Sequence, residues 1–318
     1  MTPAPRTINA TWTLASPAAP GAVAIIQLHG DIDAALASCA IPRTATGHVR
    51  LRDLLGIDRG IVARFAPDMC QLMPHGGVAI VRAILAELTR RGIPEATSAT
   101  PAAYPEARSE VEAKALATLA LAASPLAVDL LLAQHALWSQ PGAASDPERD
   151  RILRRLIDPP LVVAVGASNI GKSTLVNALA GRSVSIVADE PGTTRDHVGV
   201  MLDLAGLVVR YVDTPGLRTG ASDLEQAAVT SAMDLAADAD LLLLCGDPTS
   251  PPPPLPAALK TKPRRTVHLR ADLGKAATKP DAQVSVERNE GLADLVTTIR
   301  EALVPTEHWR AQTPWRFW

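Results

Sequence analysis

Gly166-Ala167-Ser168-Asn169-Ile170-Gly171-Lys172-Ser173 follows directly on the apolar run Leu161–Val165 and fits the pattern G-x-x-x-x-G-K-[ST]. No other stretch restricts the fold as much, because the pattern requires a buried strand before it and a helix N-terminus after it. Val162–Val165 reads as that strand and Ser173–Ala180 as that helix, stopped by Gly181. In such a loop successive backbone N–H groups turn inward onto an anion. The octet therefore predicts phosphate binding, with Gly166, Ser168, Asn169, Ile170, Gly171 and Thr174 around the phosphates, Lys172 on the β/γ oxygens and Ser173 as a Mg²⁺ ligand.

Composition narrows the class of chain that carries this loop. With 318 residues, 47% hydrophobic and 20% charged, the sequence has enough apolar material for two buried cores and is globular rather than disordered. A formal net charge of −2 provides no broad basic face, so any RNA contact would be local or carried by a partner. Cys39, Cys70 and Cys245 are too few and too scattered for a disulfide framework or a zinc site. The apolar runs near Ala22–Leu28 and Leu241–Cys245 fall far short of a membrane span, and the first residues lack a charged-then-apolar leader. Together these predict a soluble, cytoplasmic protein with no membrane partner.

The predicted architecture is α/β: a doubly wound, mostly parallel sheet preceded by a small α+β domain and a short helical segment. Residues 8–93 mix short apolar runs with turn residues, and Pro74-His75-Gly76-Gly77 leads into a helix that ends at Gly92. Composition shifts to Ala and Leu from Ser109, which predicts helices over 109–122 and 125–138, with Ser124-Pro125 as N-cap and first turn of the second. A short charged helix, Glu148–Ile157, ends at Pro159-Pro160, and its Arg149, Arg151, Arg154 and Arg155 read as a solvated face rather than an RNA contact. From Leu161 onward strands at Leu207–Val212, Leu241–Cys245, Thr266–Leu269 and Gln283–Val286 alternate with helices at Ala227–Ala237 and Gly291–Leu303. Pro248–Pro256 reads as a stiff surface connection. The expected domain limits are 1–100, 101–158 and 159–304, with an aromatic tail at 305–318. Trp309, Trp315, Phe317 and Trp318 concentrate in that tail although the chain has only five Trp, two Tyr and two Phe. They are expected to pack against the protein's own surface.

Two further segments turn a generic phosphate loop into a GTP- and GDP-binding switch. Asp213-Thr214-Pro215-Gly216 follows the strand Val208–Val212, where Asp213 would hold Mg²⁺ and the Gly216 amide would sense the γ-phosphate. Glu190-Pro191-Gly192-Thr193-Thr194-Arg195-Asp196 lies between, supplying Thr193 near the phosphates and Thr194 as a second protein ligand of Mg²⁺. Leu269-Arg270-Ala271-Asp272 stands where a GTPase has Asn-Lys-x-Asp. Asp272 would accept from guanine N1 and N2, Arg270 would stack on the ring, and Leu269 has lost the amide, at about the 1 kcal/mol of a typical hydrogen bond. Ser285-Val286-Glu287 takes the place of a Ser-Ala-Lys loop. Leu217, the residue after Gly216, has no acceptor for a water, whereas Glu225, nine residues past Gly216, has one; a Glu complementing a helix dipole is the other reading of that position.

These segments resemble the tRNA-modification GTPase family TrmE (MnmE), within the Era-like GTPases, through Gly166–Thr174, Pro191–Asp196 and Asp213–Gly216. The resemblance implies that Glu225 is the catalytic, water-activating carboxylate, working with Lys172. It also implies that Asn169 ligates K⁺, an ion standing in for an arginine finger when two G domains meet, so activity would be potassium-stimulated and would need a homodimer. Upstream, Ala10–Gly30 and His75-Gly76-Gly77 resemble the family's folate-binding N-terminal domain. Pro17-Ala18-Ala19-Pro20-Gly21 replaces Pro-Pro-Gly-Arg-Gly and Gln27 replaces an Arg, which argues against a folate site here. The family's Phe-Thr-x-Arg-Ala-Phe-x-Asn-Gly-Lys segment and Cys-x-Gly-Lys ending have no counterpart in this sequence. Partners implied by the resemblance are tRNA and a flavoprotein. The competing reading is a GTP-gated binding or assembly module, for RNA, a ribosomal particle or a protein, with little turnover.

Overall fold

A computed structural model of the chain describes residues 8–16, 20–96, 104, 106–181, 199–214, 233–276 and 278–318. It divides into two compact units, one made of residues 1–121, 131–143 and 318, the other of 122–130 and 144–317.

In the first unit the apolar run near residue 26 forms β2 (Ile26–Gly30), which pairs with β1 (Ala10–Leu14) and β5 (Met69–Met73). β3 (His48–Leu54) and β4 (Asp58–Ala66) complete an antiparallel sheet in the order β1-β2-β5-β4-β3. The register places Ile26 opposite Leu72 and Leu28 opposite Cys70, so the two-residue period collects these side chains on one face. α1 (Ile32–Ser38) and α2 (Val78–Arg90) cover that face with Ile32, Leu36, Ile84 and Leu88, all buried in one core. α2 buries Val81, Ile84 and Leu88, a stripe at helical spacing. The helix α3 (Glu110–Leu119) starts at Ser109, whose hydroxyl accepts from the Glu112 amide at 3.1 Å. The next helix, α4 (Leu126–Trp138), is apolar nearly all round and contributes residues to both units.

The second unit is a six-stranded sheet in the order β11-β10-β9-β6-β8-β7. β6 (Leu161–Val165) is central and wholly buried, parallel to β8 (Leu207–Asp213) on one side and β9 (Leu241–Gly246) on the other. β10 (Arg264–His268) and β11 (Ala282–Gln283) extend the parallel part, and only β7 (Val200–Leu204) runs antiparallel, paired with β8. All-apolar strands such as Leu241–Leu244 belong in a sheet covered on both faces. The helix Leu292–Leu303 buries Leu292, Leu295, Ile299 and Leu303. Because the strands are parallel, the carboxyl ends of β6, β8, β9 and β10 open on one edge, where ligands of such sheets bind.

Three sequence expectations change here. Ser124 does not cap the following helix with its hydroxyl; that oxygen accepts from the Val208 amide at 3.0 Å and ties the chain before α4 to β8. The strand expected at Gln283–Val286 is confined to Ala282–Gln283, and Ser285 lies in a turn bridged to Glu290. Of the arginines of α5 (Pro147–Leu153) and the following turn, Arg151 and Arg154 are exposed, whereas Arg149 and Arg155 are drawn in from solvent. Arg149 is buried and donates to the carbonyls of His308, Ala311, Thr313 and Pro314, while Arg154 donates to Phe317 O and Arg155 to Leu303 O. Trp315 and Phe317 are buried beside this clamp, with ring centroids 5.6 Å apart. No helix among the described residues is long and apolar enough to cross a membrane.

Candidate nucleotide site

Strand β6 ends at Val165 and the chain turns at once into the loop 166–171, then into α6 (Lys172–Ala180). Gly166 is compressed between β9 and the loop itself: a side chain there would begin 2.6 Å from Cys245 O and 2.7 Å from Ile170 Cδ1. That close approach holds the loop down on the sheet. Asn169 and Gly171 both adopt the left-handed region, with φ of 62° and 101°, the kind of main-chain bend that lets successive amides face an anion at the start of α6. Ile170 is buried beneath the loop, Ser168 is half-buried, and Asn169, Ser173 and Thr174 are exposed on its rim.

Lys172 is buried, and its ammonium donates to Gly166 O at 3.2 Å and Ala167 O at 2.8 Å, arching back over the loop that precedes it. The Ser173 hydroxyl donates to Asp213 Oδ2 at 2.5 Å, which joins the start of α6 to the end of β8. The other oxygen, Asp213 Oδ1, is buried without a hydrogen-bond partner among the described residues. One hydroxyl, one carboxylate oxygen already engaged with it and one unengaged carboxylate oxygen are hard donors that suit Mg²⁺. Among the described residues no group of three or more His, Cys, Asp or Glu is placed to hold a metal ion. Thr214 is buried and its hydroxyl donates to Ala164 O at 2.8 Å, which fixes the chain just past Asp213 against β6.

The second cluster forms at the ends of β9 and β10. Leu269 is buried and its amide donates to Gly246 O at 2.8 Å. The position read as a lost Asn is thus an apolar anchor. Asp272 accepts from the Ser285 hydroxyl at 2.6 Å, and Ser285 in turn accepts from the Arg288 amide. This hydroxyl bond, with the nearby arginine charges, holds the Asp272 carboxyl below its ordinary range, so it is a standing acceptor. Val286 is half-buried on the adjoining turn. Arg270 takes a left-handed φ of 52° and donates to Asp247 Oδ2 at 3.2 Å.

Asp247 escaped the reading of the sequence. Its signal was present: an Asp ending an apolar strand and followed by Pro-Thr-Ser is a turn-former whose carboxylate accepts from amides two and three residues on. Thr193, Thr194, Gly216 and Glu225 lie outside the described residues. In the first unit, Gln27 is buried, accepting from Gln71 Nε2 at 2.9 Å and lying 3.1 Å from His29 Nε2, so its side-chain amide is taken up within the sheet.

A parallel sheet that delivers a glycine-bounded loop, a serine–aspartate pair and a carboxylate-bearing loop to one edge defines a P-loop GTPase domain. A family profile described as "50S ribosome-binding GTPase" matches residues 161–273. The chain is 48% identical over 153 residues to the tRNA modification GTPase MnmE of Acidiphilium cryptum, an alignment covering 47% of this chain and 35% of that one. To the MnmE of Methylobacterium radiotolerans it is 31% identical over 369 aligned positions, covering 93% of this chain and 82% of the relative. It therefore belongs to the tRNA modification GTPase MnmE family. Its alignments span about a third of the length of the first relative and about four fifths of the second. Among solved structures, Era of Aquifex aeolicus bound to GDP·AlF4⁻ shares 28% identity over 45% of this chain and 56% of that one, with a TM-score of 0.37.

Proposed function

We propose that this chain binds GTP with Mg²⁺ and hydrolyses it to GDP and phosphate, and that two copies meeting through their G domains accelerate the step in potassium. The observation that carries the reading is the Ser173–Asp213 pair beside the loop 166–171, with one carboxylate oxygen unengaged. Ser173, Asp213 and Thr194 would hold Mg²⁺, and Asn169 would hold K⁺; bound there, the ions supply positive charge along the β,γ-phosphate oxygens. Lys172 and the loop amides bind the same oxygens, which needs Lys172 to exchange the carbonyls of Gly166 and Ala167 for phosphate. A water oxygen then bonds to the γ-phosphorus as the bond from phosphorus to the β–γ bridging oxygen breaks, and that electron pair leaves on GDP. Glu225, assigned by family resemblance, takes the proton from the water directly or through a second water. Asp272 and Arg270 select the base. Sequence supports 1–100, 101–158, 159–304 and 305–318 as the functional divisions of the chain.

Phosphate release measured in KCl and in NaCl is the test. Faster release in KCl, rising with protein concentration, is expected, together with a Glu225→Ala variant that binds GTP and turns it over at least about tenfold more slowly. Equal rates in the two salts would remove the role of Asn169, and an unimpaired Glu225→Ala would remove the assigned base. Participation in tRNA modification follows from the names of the relatives, and a flavoprotein partner from the family resemblance alone. Loss of a tRNA nucleoside modification on deleting the gene would support that role.

A further inference from the structure

Asp247 sits at the junction of three things that have no other reason to meet. It follows β9, its side chain is 1% exposed, and its two oxygens are divided between separate tasks. Oδ1 accepts from the Thr249 amide at 2.9 Å, the Thr249 hydroxyl at 2.8 Å and the Ser250 amide at 2.8 Å, which folds the chain into a tight turn. Oδ2 faces the other way and receives Arg270 Nη1. The turn is also a shelf for the base-side loop: Leu269 hangs from Gly246 O, and a side chain on Gly274 would begin 3.1 Å from Pro248 Cβ.

Arg270 itself is held in a conformation that non-glycine residues seldom adopt. Its side chain passes the phosphate loop, with Nε 3.9 Å from where a side chain on Gly171 would start. The side chain thus runs from beside the loop's glycine to a buried carboxylate and remains 43% exposed. A planar cation fixed in that way beside the phosphate loop has the shape and charge to stack on a purine ring. With Leu269 buried as an anchor, no side-chain amide from that position is available to brace the base loop.

We propose that Asp247 is a positioning residue for nucleotide recognition, fixing Arg270 between the base loop and Gly171 so that its guanidinium covers the purine base of the bound nucleotide. The inference rests on the guanine-nucleotide reading above. It adds a residue outside the motifs quoted from the sequence above and assigns it to the base rather than to the phosphates.

The test separates base from phosphate by titrating the full-length protein, in Mg²⁺, with GDP and with inorganic tripolyphosphate. Asp247→Asn is the variant of choice because its amide oxygen can keep the Thr249 and Ser250 bonds while losing the charge that holds Arg270. Expected are a loss of about tenfold in GDP affinity for Asp247→Asn, a similar loss for Arg270→Gln, and no further loss in the double variant, with tripolyphosphate affinity within twofold throughout. Additive losses, or equal losses for the two ligands, would overturn the proposal, as would an Asp247→Asn protein that binds GDP like the parent. Should Asp247→Asn fail to fold, Asp247→Glu, which displaces the carboxylate by one methylene, is expected to show the same split between ligands. A parent protein that binds neither ligand would instead refute the nucleotide reading itself.

Discussion

Lys172 shows what a single side chain does in this site. It is buried, and its ammonium donates to two carbonyls of the loop it belongs to. Substituting Lys172→Ala removes a charge-assisted bond to phosphate worth about 1.5–3 kcal/mol, so calorimetry should show GTP binding weakened by roughly ten- to a hundredfold with far-UV dichroism unchanged. A loss under threefold would mean that the ammonium stays on the carbonyls in the bound state. The cysteines give a prediction of opposite character. Burial pushes the thiols of Cys70 and Cys245 up to about 12 from an ordinary value of 9.0, so the folded state retains its protons more strongly than the unfolded chain does. Their contribution to stability is complete below about pH 9 and falls as pH rises from 9 toward 12. Urea midpoints measured between pH 8 and 11 should drop over that window, and Cys245→Ala should flatten the decline; a midpoint independent of pH would contradict the burial of these thiols.

Among the elements, α5 and the C-terminal segment are the pair that charge patterning misrepresents. A helix reading Pro-Glu-Arg-Asp-Arg suggests a wet face, yet Arg149 is 4% exposed and donates to four main-chain carbonyls of the C-terminal segment. Burial lowers the tendency of that guanidinium to stay charged, while Asp150 and Asp146 nearby oppose the effect. Replacing Arg149 with Ala leaves those carbonyls without donors and should cost about 3 kcal/mol, read as a lower urea midpoint together with a red shift of the buried Trp315 emission. A change under 0.5 kcal/mol, of the order expected for an exposed arginine, would contradict the clamp. Other elements were legible because local chemistry and fold agree: Leu161–Val165 is a strand by composition and position, and Ser109 is an N-cap with Glu three residues on. β3 and β4 were not, since Val49, Leu51, Ile61 and Phe65 face solvent and the sequence shows no clean alternation between a buried and a wet side. Ser124 was misassigned for a related reason: its acceptor was claimed by an amide 84 residues away, a pairing that no local pattern encodes.

For the whole molecule, the site was more legible than the scaffold that carries it. A loop whose ligand is held by main-chain amides must announce itself through glycines at fixed spacing, and Gly166 and Gly171 did so. Asp247 and Arg270 needed the fold, because strand order alone brings the end of β9 beside the end of β10. The common edge of β6, β8, β9 and β10 gathers the residues proposed here to contact phosphate, metal and base, and that proposal is the central claim. Calorimetric titration of the purified chain in magnesium and potassium with GTP, GDP and ATP tests it most directly. The predicted result is saturable heat for both guanine nucleotides and binding of ATP at least about tenfold weaker; the absence of heat with GTP and GDP would contradict it.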